Sequence, residues 1–242
     1  MPDPDAPCVG GIPVCLTDED WSFYLNAGIE ENAHSEYSLL TMPFSDALMD
    51  YNRMAFHAVA LRWQDKAYLI AAPSGVGKST QARFLQELRP GEFGVISGDR
   101  PILEFRKKET HFSDEIQIDR SDSTQILSNP EGHWDIIVHP SQWNGKENWF
   151  GAKAAPLAGL ILLLRGDQNE LISLTPREAA IRCYNQVIQT FISPDKIRKA
   201  AELTTRLLNS VPIWQLTTYQ VPESTKLLVK SIFSSNSQTE ME

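Results

Sequence analysis

The sequence has few of the features that mark several large protein classes. Its three cysteines, Cys8, Cys15 and Cys183, form no CxxC pair and no metal-ligand spacing, and their odd number argues against a disulfide framework. Basic residues are also in the minority, since 22 Lys and Arg against 31 Asp and Glu give a formal net charge of −9. Proteins that bind nucleic acid or anionic membranes by broad electrostatic attraction carry the opposite balance. We therefore expect neither partner.

Long hydrophobic runs and repeats are missing as well. The longest apolar stretch, residues 154–164, is interrupted by Pro156 and is too short to cross a bilayer. The first five residues are acidic and rich in proline, unlike a signal peptide. No fixed period or sustained heptad is present. The remaining composition, 42% hydrophobic and 22% charged, is that of an ordinary globular protein, for which we expect a cytoplasmic location.

The hydrophobic pattern predicts an α/β fold in which strands and helices alternate. Thr175, Pro176 and Glu178 provide a threonine cap, a proline at the first helical position and a glutamate three residues after the cap, which together predict a helix start. The predicted strands are residues 56–63, 67–72, 94–97, 101–106, 115–119, 157–164, 170–174 and 213–218. The predicted helices are residues 79–88, 176–190, 194–209 and a last one from about residue 223.

The clearest chemical motif is Ala72-Pro73-Ser74-Gly75-Val76-Gly77-Lys78-Ser79, which fits the P-loop pattern with alanine at the first glycine position. Glycines allow successive backbone N–H groups to turn towards phosphate oxygens. A lysine at position 78 supplies a charge for the β- and γ-phosphates, and a hydroxyl at position 79 is a ligand for Mg²⁺. The apolar strand before the motif and the amphipathic helix after it favour nucleotide binding over a chance match in a turn. The predicted nucleotide-binding residues are Ser74, Gly75, Val76, Gly77, Lys78, Ser79 and Thr80.

A nucleotide site also needs an acidic residue near the metal, usually at the end of a neighbouring strand. Asp99 follows the short apolar segment 94–97, so we predict Ser79 and Asp99 as the metal-binding residues. The alternative is a turn aspartate, because Gly98-Asp99 and the nearby Pro101 are also typical of turns.

The ordered combination of motifs resembles the kinase domain of HPr kinase/phosphorylase, which shares its P-loop arrangement with phosphoenolpyruvate carboxykinases. The resemblance rests on His57 in a strand, the loop 73–80, the run Asp99-Arg100-Pro101, the run Trp143-Asn144-Gly145-Lys146 and the strand start Pro156-Leu157-Ala158-Gly159. It covers roughly residues 50–190. Small bacterial relatives, including kinases that tailor lasso-peptide precursors, are more similar still.

The resemblance implies a P-loop-containing mixed sheet of the HPr kinase/phosphoenolpyruvate carboxykinase type, with flanking helices. It implies ATP and Mg²⁺ as cofactors, and Asp99, His57 and Lys146 as catalytic residues. One departure stands out, because HPr kinases have two adjacent aspartates where this chain has Gly98 and Asp99. From the residues alone, His57 could be a core histidine, Lys146 a solvated loop lysine and Arg100 either a phosphate ligand or the partner of a carboxylate.

The sequence thus predicts a P-loop kinase-like domain over residues 51–236, an amino-terminal β-rich extension of the same domain over 1–50 and a flexible tail over 237–242. The predicted activity is ATP-dependent transfer of a phosphoryl group to a hydroxyl, with serine of a protein or ribosomally made peptide as the acceptor. The alternatives are a non-catalytic nucleotide-binding accessory protein and a small-molecule kinase. An oligomer is compatible with the resemblance.

Overall fold

The computed structural model describes residues 39–107, 134–143, 145–151, 153–189 and 193–234, together with residues 18, 22, 25 and 26. Strands and helices alternate along the chain, as the hydrophobic pattern predicts. The elements are α1 (Thr41–Met49), β1 (Arg53–Ala55), β2 (Ala58–Trp63), β3 (Lys66–Ala71), α2 (Lys78–Leu88), β4 (Phe93–Ser97), β5 (Ile102–Lys107), β6 (Trp134–His139), β7 (Ala155–Arg165), β8 (Glu170–Leu174), α3 (Pro176–Tyr184), α4 (Pro194–Ser210), β9 (Ile213–Thr218) and α5 (Val221–Ser231).

The strands form one mixed sheet, with the order β1-β5-β6-β7-β3-β2-β4 and a branch in which β9 pairs with β7 and β8. β7 joins the parts, because it pairs antiparallel with β6 at its start and parallel with both β3 and β9 further along. β2 is antiparallel to β3 and to β4. Four strands therefore run in the same direction, namely β3, β4, β7 and β9. Their carboxyl ends lie along the same edge of the sheet.

Helices cover both faces of the sheet, and a separate hydrophobic cluster fills each interface. Because side chains alternate along a strand, Leu69 joins one cluster and Ile70 joins the other. The first cluster includes Cys183 of α3 and Leu203 of α4, and the second includes Leu85 of α2 and Leu228 of α5. The prediction of a mixed α/β fold with flanking helices is confirmed.

α3 and α4 begin at the residues the sequence predicts, 176 and 194. At the start of α3 the Thr175 hydroxyl accepts a hydrogen bond from the Glu178 N–H, and the Glu178 carboxylate accepts one from the Thr175 N–H. At α4 the Ser193 hydroxyl accepts from the Lys196 N–H, and Pro194 occupies the first turn. Each cap satisfies backbone donors that a helix start otherwise leaves unpaired.

Three expectations differ from the structure. The prediction of a β-rich region over residues 1–50 is wrong for its described part, because Thr41–Met49 forms α1. The helix expected over 176–190 ends at Tyr184, because Val187 bridges to Phe56 and the Ile188 N–H donates to the Ala55 carbonyl. Strands β1 and β6 were not predicted.

Other expectations lie outside the described residues, namely the strand over 115–119, the remainder of 1–50 and the tail over 237–242. Within the part of the chain that the structure describes, no helix is both long and apolar enough to cross a membrane.

Candidate functional site

The candidate site lies where the carboxyl ends of β3, β4 and β7 meet the first turn of α2. Ala58 at the start of β2 pairs with Ala71 at the end of β3, and Ala60 pairs with Ser97 at the end of β4. His57 and Asp99, which flank these pairs, are therefore brought to the same edge. Ligands of open α/β sheets bind at this kind of edge.

The segment between β3 and α2 forms a turn that we call the glycine loop, residues 73–77. Gly75 and Gly77 have φ angles of 79° and 120°, which residues with a Cβ rarely adopt. A Cβ built on either glycine meets no atom within 4 Å, so the backbone angle alone requires glycine, and the space around the loop is open.

The amino terminus of α2 has no capping partner within the described part of the chain. Gly77 occupies the cap position, no described side chain caps the helix, and the first turn has no acidic residue. The first N–H groups of a helix carry a partial positive charge and lack partners inside the helix. With the positive-φ glycines before it, this helix start is suited to an anion. Ser79 is half-buried in the first turn, and Ser74 and Thr80 are exposed.

Lys78 is buried at the centre of the site, with 8% of its surface exposed. Its Nζ donates to the Ala72 carbonyl and contacts His57 Nε2, each at 2.9 Å. Burial lowers the pKa of Lys78, while the carboxylates of Asp99 and Glu147 act in the opposite direction. The structure thus holds an ammonium group largely out of water, which favours the approach of an anion.

His57 is held from both sides of its ring. Nε2 contacts Lys78 as described, and Nδ1 lies 3.2 Å from Gln186 Oε1. Burial, followed by the charge of Lys78, lowers the pKa of His57 from 6.5, while Asp99 acts to raise it. The imidazole is therefore neutral at neutral pH. Because the ammonium of Lys78 can only donate, its contact at 2.9 Å favours a lone pair on Nε2. The Asp99 carboxylate, 3.5 Å from the same nitrogen, favours a proton there.

Asp99 lies beside His57 as part of a small charged network. Its Oδ1 is 3.5 Å from His57 Nε2, and its Oδ2 is 3.2 Å from Arg100 Nε. Arg100 in turn donates from Nη1 to the Thr41 hydroxyl at 2.8 Å. Asp99 is thus in contact with a candidate catalytic histidine. Arg100 pairs with a carboxylate, which was one of its two predicted roles.

The loop residues 143 and 145–151 lie against the segment that carries Asp99. The Gly98 N–H donates to the Trp149 carbonyl, and the Arg100 N–H donates to the Trp143 carbonyl. Gly145 has a φ angle of 69°, and a Cβ there would lie 3.2 Å from the Asp99 Cβ. This close approach explains the glycine and fixes the position of Asp99.

Lys146 lies on the exposed side of this loop. Among the described residues, no hydrogen bond or ion pair joins Lys146 to the cluster of His57, Lys78 and Asp99. Its neighbour Glu147 does act on Lys78 through its charge. The structure brings His57, Lys78 and Asp99 together and leaves Lys146 at the margin.

Two residues of the site were missed by the sequence reasoning. Gln186 contacts His57, and the exposed Arg165 donates from Nε to the Val76 carbonyl at 3.2 Å and from Nη2 to the Gly75 carbonyl at 3.3 Å. Arg165 had a signal, since it directly follows the apolar run that forms β7. Gln186 had none, because its contact depends on where α3 ends.

A metal site made by the protein alone is not found: the described ranges contain no group of three or more His, Cys, Asp or Glu side chains placed to hold an ion. Magnesium in nucleotide sites is bound through one or two protein ligands together with phosphates and water. The hydroxyl of Ser79 and the carboxylate of Asp99 are suitable oxygen donors for that arrangement.

Comparison with known proteins gives little further guidance. No family model matches the chain, and no curated protein matches it. Among solved structures, the Hpr(Ser) kinase/phosphatase from Coxiella burnetii is similar over 73% of this chain and 93% of that chain, with 8% sequence identity and a TM-score of 0.36. A likeness at this level is distant, and the functional assignment rests on the contacts described above.

Proposed function

We propose that this protein is a P-loop phosphotransferase that moves the γ-phosphoryl group of ATP to a hydroxyl, with serine of a protein or peptide as the acceptor. The observation that carries the proposal is the meeting of Lys78, His57 and Asp99 beside the uncapped start of α2. One edge of the sheet thereby combines an anion-binding backbone, a buried cation, a neutral imidazole and a carboxylate.

Nucleotide binding would use the glycine loop and Lys78. The open space around Gly75 and Gly77 leaves room for phosphate oxygens, which the N–H groups of the first turn of α2 would meet. The Lys78 ammonium has a hydrogen bond to Ala72 and a contact with His57. If it turns towards the phosphates, it keeps a charged partner and releases His57 Nε2.

Ser79 and Asp99 would hold the magnesium ion that accompanies ATP. When bound, the ion offsets the negative charge of the phosphate oxygens. Asp99 has the appropriate chemistry, since its two oxygens contact only His57 and Arg100 among the described residues and a carboxylate offers about four lone-pair sites.

The acceptor proton would pass to His57 or Asp99. As the acceptor oxygen forms its bond to the γ-phosphorus and the bond to the β–γ bridging oxygen breaks, the hydroxyl loses its proton. His57 Nε2 bears a lone pair beside Asp99, so either group can accept it. Phosphoryl transfer depends more on positioning than on base strength, which allows a single aspartate to serve where HPr kinases have two.

A nucleotide-binding accessory protein without transfer activity is the second candidate. It is favoured by Gly98 at the position of the second aspartate and by the engagement of Asp99 with Arg100. This candidate shares the binding half of the proposal and differs only in the chemistry.

Label transfer separates the candidates. The protein would be incubated with γ-labelled ATP, Mg²⁺ and paired peptides that differ only by serine or alanine at one position, with ATP hydrolysis followed in parallel. We expect label on a serine peptide, none on its alanine partner, and loss of both transfer and hydrolysis in Lys78→Ala. Nucleotide binding without transfer or hydrolysis would favour the accessory protein, and label on a small metabolite would favour a small-molecule kinase.

A further inference from the structure

Gln186 contacts the candidate catalytic histidine at two points. Its backbone carbonyl accepts a hydrogen bond from the backbone N–H of His57 at 2.7 Å, and its side-chain Oε1 lies 3.2 Å from the ring nitrogen Nδ1 of His57. Gln186 is 5% exposed and the His57 side chain 23% exposed, so the contact is partly shielded from water. A buried polar contact of this kind restricts both partners more than an exposed one.

The chain around Gln186 is fixed from both sides. The Gln186 N–H donates to the Cys183 carbonyl, and the Val187 N–H donates to the Tyr184 carbonyl, which closes the end of α3. Directly afterwards, Val187 bridges to Phe56. The backbone hydrogen bonds on either side therefore hold the Gln186 side chain against the His57 ring.

The contact has a chemical consequence for the ring. A neutral imidazole has one N–H donor and one acceptor nitrogen, and the group facing one nitrogen decides the role of the other. Lys78 presents a donor to Nε2, and Gln186 presents an acceptor oxygen to Nδ1. Both partners therefore select the same tautomer, against the Asp99 carboxylate, an acceptor that lies further away, 3.5 Å from Nε2.

We infer that Gln186 is a positioning residue that holds His57 in the Nδ1–H tautomer, so that the Nε2 lone pair faces Lys78. The inference deepens the proposed function and rests on it for its purpose, because Nε2 is the atom that would accept the proton of the acceptor hydroxyl. When Lys78 turns to a phosphate, Gln186 remains to keep that lone pair in place.

The chain offers a matched control in Gln189. This second glutamine lies three residues further on and is 2% exposed, yet neither its side-chain oxygen nor its nitrogen has a hydrogen-bond partner among the described residues. Replacing Gln189 by leucine removes a buried amide of the same kind without touching His57. Gln186→Glu is the conservative variant, because a carboxylate oxygen can still accept from Nδ1–H.

The test is the tautomer of His57 read by ¹⁵N NMR on histidine-labelled, nucleotide-free protein at about pH 8, where a histidine is neutral. The His57 signals are assigned by their loss in His57→Gln, and folding is checked from the amide spectrum. We expect Nδ1 protonated in the wild type, Gln186→Glu and Gln189→Leu. In Gln186→Leu and the shorter Gln186→Asn we expect a shift towards the Nε2–H form, with turnover lowered at least about tenfold and the KM for ATP within about twofold.

An Nε2–H tautomer in the wild type, or an unchanged tautomer in whichever of Gln186→Leu and Gln186→Asn folds, would overturn the inference. Because the spectrum is recorded without nucleotide, this result is independent of whether the protein transfers phosphate. A protein that is active but has the Nε2–H form would retain the proposed function and lose the inference. If the protein is inactive but has the Nδ1–H form, and Gln186→Leu shifts it to the Nε2–H form, the positioning contact is retained and the proposed function is lost.

Discussion

Two charged clusters in this molecule are built from similar residues but differ in how far their cations are exposed to water. The site cluster consists of His57, Lys78, Asp99 and Arg100, and the Glu104 cluster consists of Arg53, Glu104, Arg106 and His139. In the first, the histidine is closer to a lysine, at 2.9 Å, than to the carboxylate, at 3.5 Å. In the second, His139 Nε2 lies 2.7 Å from Glu104 Oε2.

The burial of the cations distinguishes the two clusters. The arginines of the Glu104 cluster have 42% and 57% of their side chains exposed, so their charge is solvated. The hydrogen bond from Arg106, with those from His139 and Arg53, lowers the pKa of Glu104 to about 2 even though burial acts to raise it. Lys78, in contrast, is largely buried beside an uncapped helix start. The Glu104 cluster thus pairs its carboxylate with solvated cations, and the site cluster is arranged to gain from an added anion.

Neutralising one carboxylate in each cluster should separate the two clusters most strongly. Asp99→Asn should lower the rate of phosphoryl transfer about 10²- to 10³-fold, because it removes a charge at the reacting groups. Glu104→Gln should leave that rate within about twofold at neutral pH. Both rates are measured with γ-labelled ATP under saturating conditions. Equal losses in the two variants would erase the functional difference between the clusters.

A smaller effect is expected where backbone packing sets the position of Asp99. Gly145→Ala should lower transfer about tenfold, because the added Cβ approaches the Asp99 Cβ at 3.2 Å and small displacements of catalytic groups are costly. Gly91→Ala is the matched control, since Gly91 also has a positive φ, 83°, but has no atom within 4 Å of the added Cβ.

Both alanine variants should lose similar stability in thermal unfolding, about 1–2 kcal/mol, from backbone strain. Only Gly145→Ala should lose activity. Activity loss in both variants would assign the effect to strain alone and remove the contact with Asp99 from the explanation.

A weaker effect is expected for the arginine that supports the glycine loop. Arg165→Ala should raise the Kd for Mg·ATP about three- to fivefold, because the two hydrogen bonds to Gly75 and Val76 carbonyls are exposed to water and such bonds contribute modestly. Arg106→Ala, in the Glu104 cluster, should leave the Kd unchanged. Fluorescence titration with a labelled nucleotide measures both. A loss of binding in Arg106→Ala of the same size would contradict the separation of the clusters.

The smallest expected effect concerns stability against pH. The folded-state pKa of Glu104, about 2, lies below its ordinary value of 4.5, so its ionised form stabilises the fold above pH 4.5. That contribution is lost as the pH falls from 4.5 towards 2. The difference in unfolding free energy between wild type and Glu104→Gln, from urea titrations, should therefore shrink over this interval. A difference that stays constant would show that the arginines do not stabilise the carboxylate.

Local signals explain which parts of the fold could be predicted. The cap formed by Thr175 and Glu178 is encoded within four residues, and β9 appears at the predicted residues 213–218. The loop-to-helix step at Lys78 also follows from a contiguous motif. In each case neighbouring residues carry the information, so the pattern alone suffices.

Long-range pairing explains which parts of the fold could not be predicted from the sequence. α3 ends at Tyr184 because the following residues pair with β1 and its neighbour Phe56, and no local residue signals that end. β6 exists through its pairing with β5. Asp99 and His57 could be proposed because each stands in a local motif. Gln186 could be found only in three dimensions, because it is 129 positions from His57.

The glycine loop and Lys78 are proposed to bind the phosphates of a nucleotide. Calorimetric titration of Mg·ATP into the wild type, Lys78→Ala and Lys66→Ala tests this binding directly. Lys66 is an exposed lysine at the opposite end of β3, so it controls for loss of charge alone. We expect affinity to fall about 10- to 100-fold in Lys78→Ala, as loss of a charge-assisted contact implies, and to stay unchanged in Lys66→Ala. Absence of binding in the wild type, or equal affinity in wild type and Lys78→Ala, would show that Lys78 and the glycine loop do not bind the phosphates.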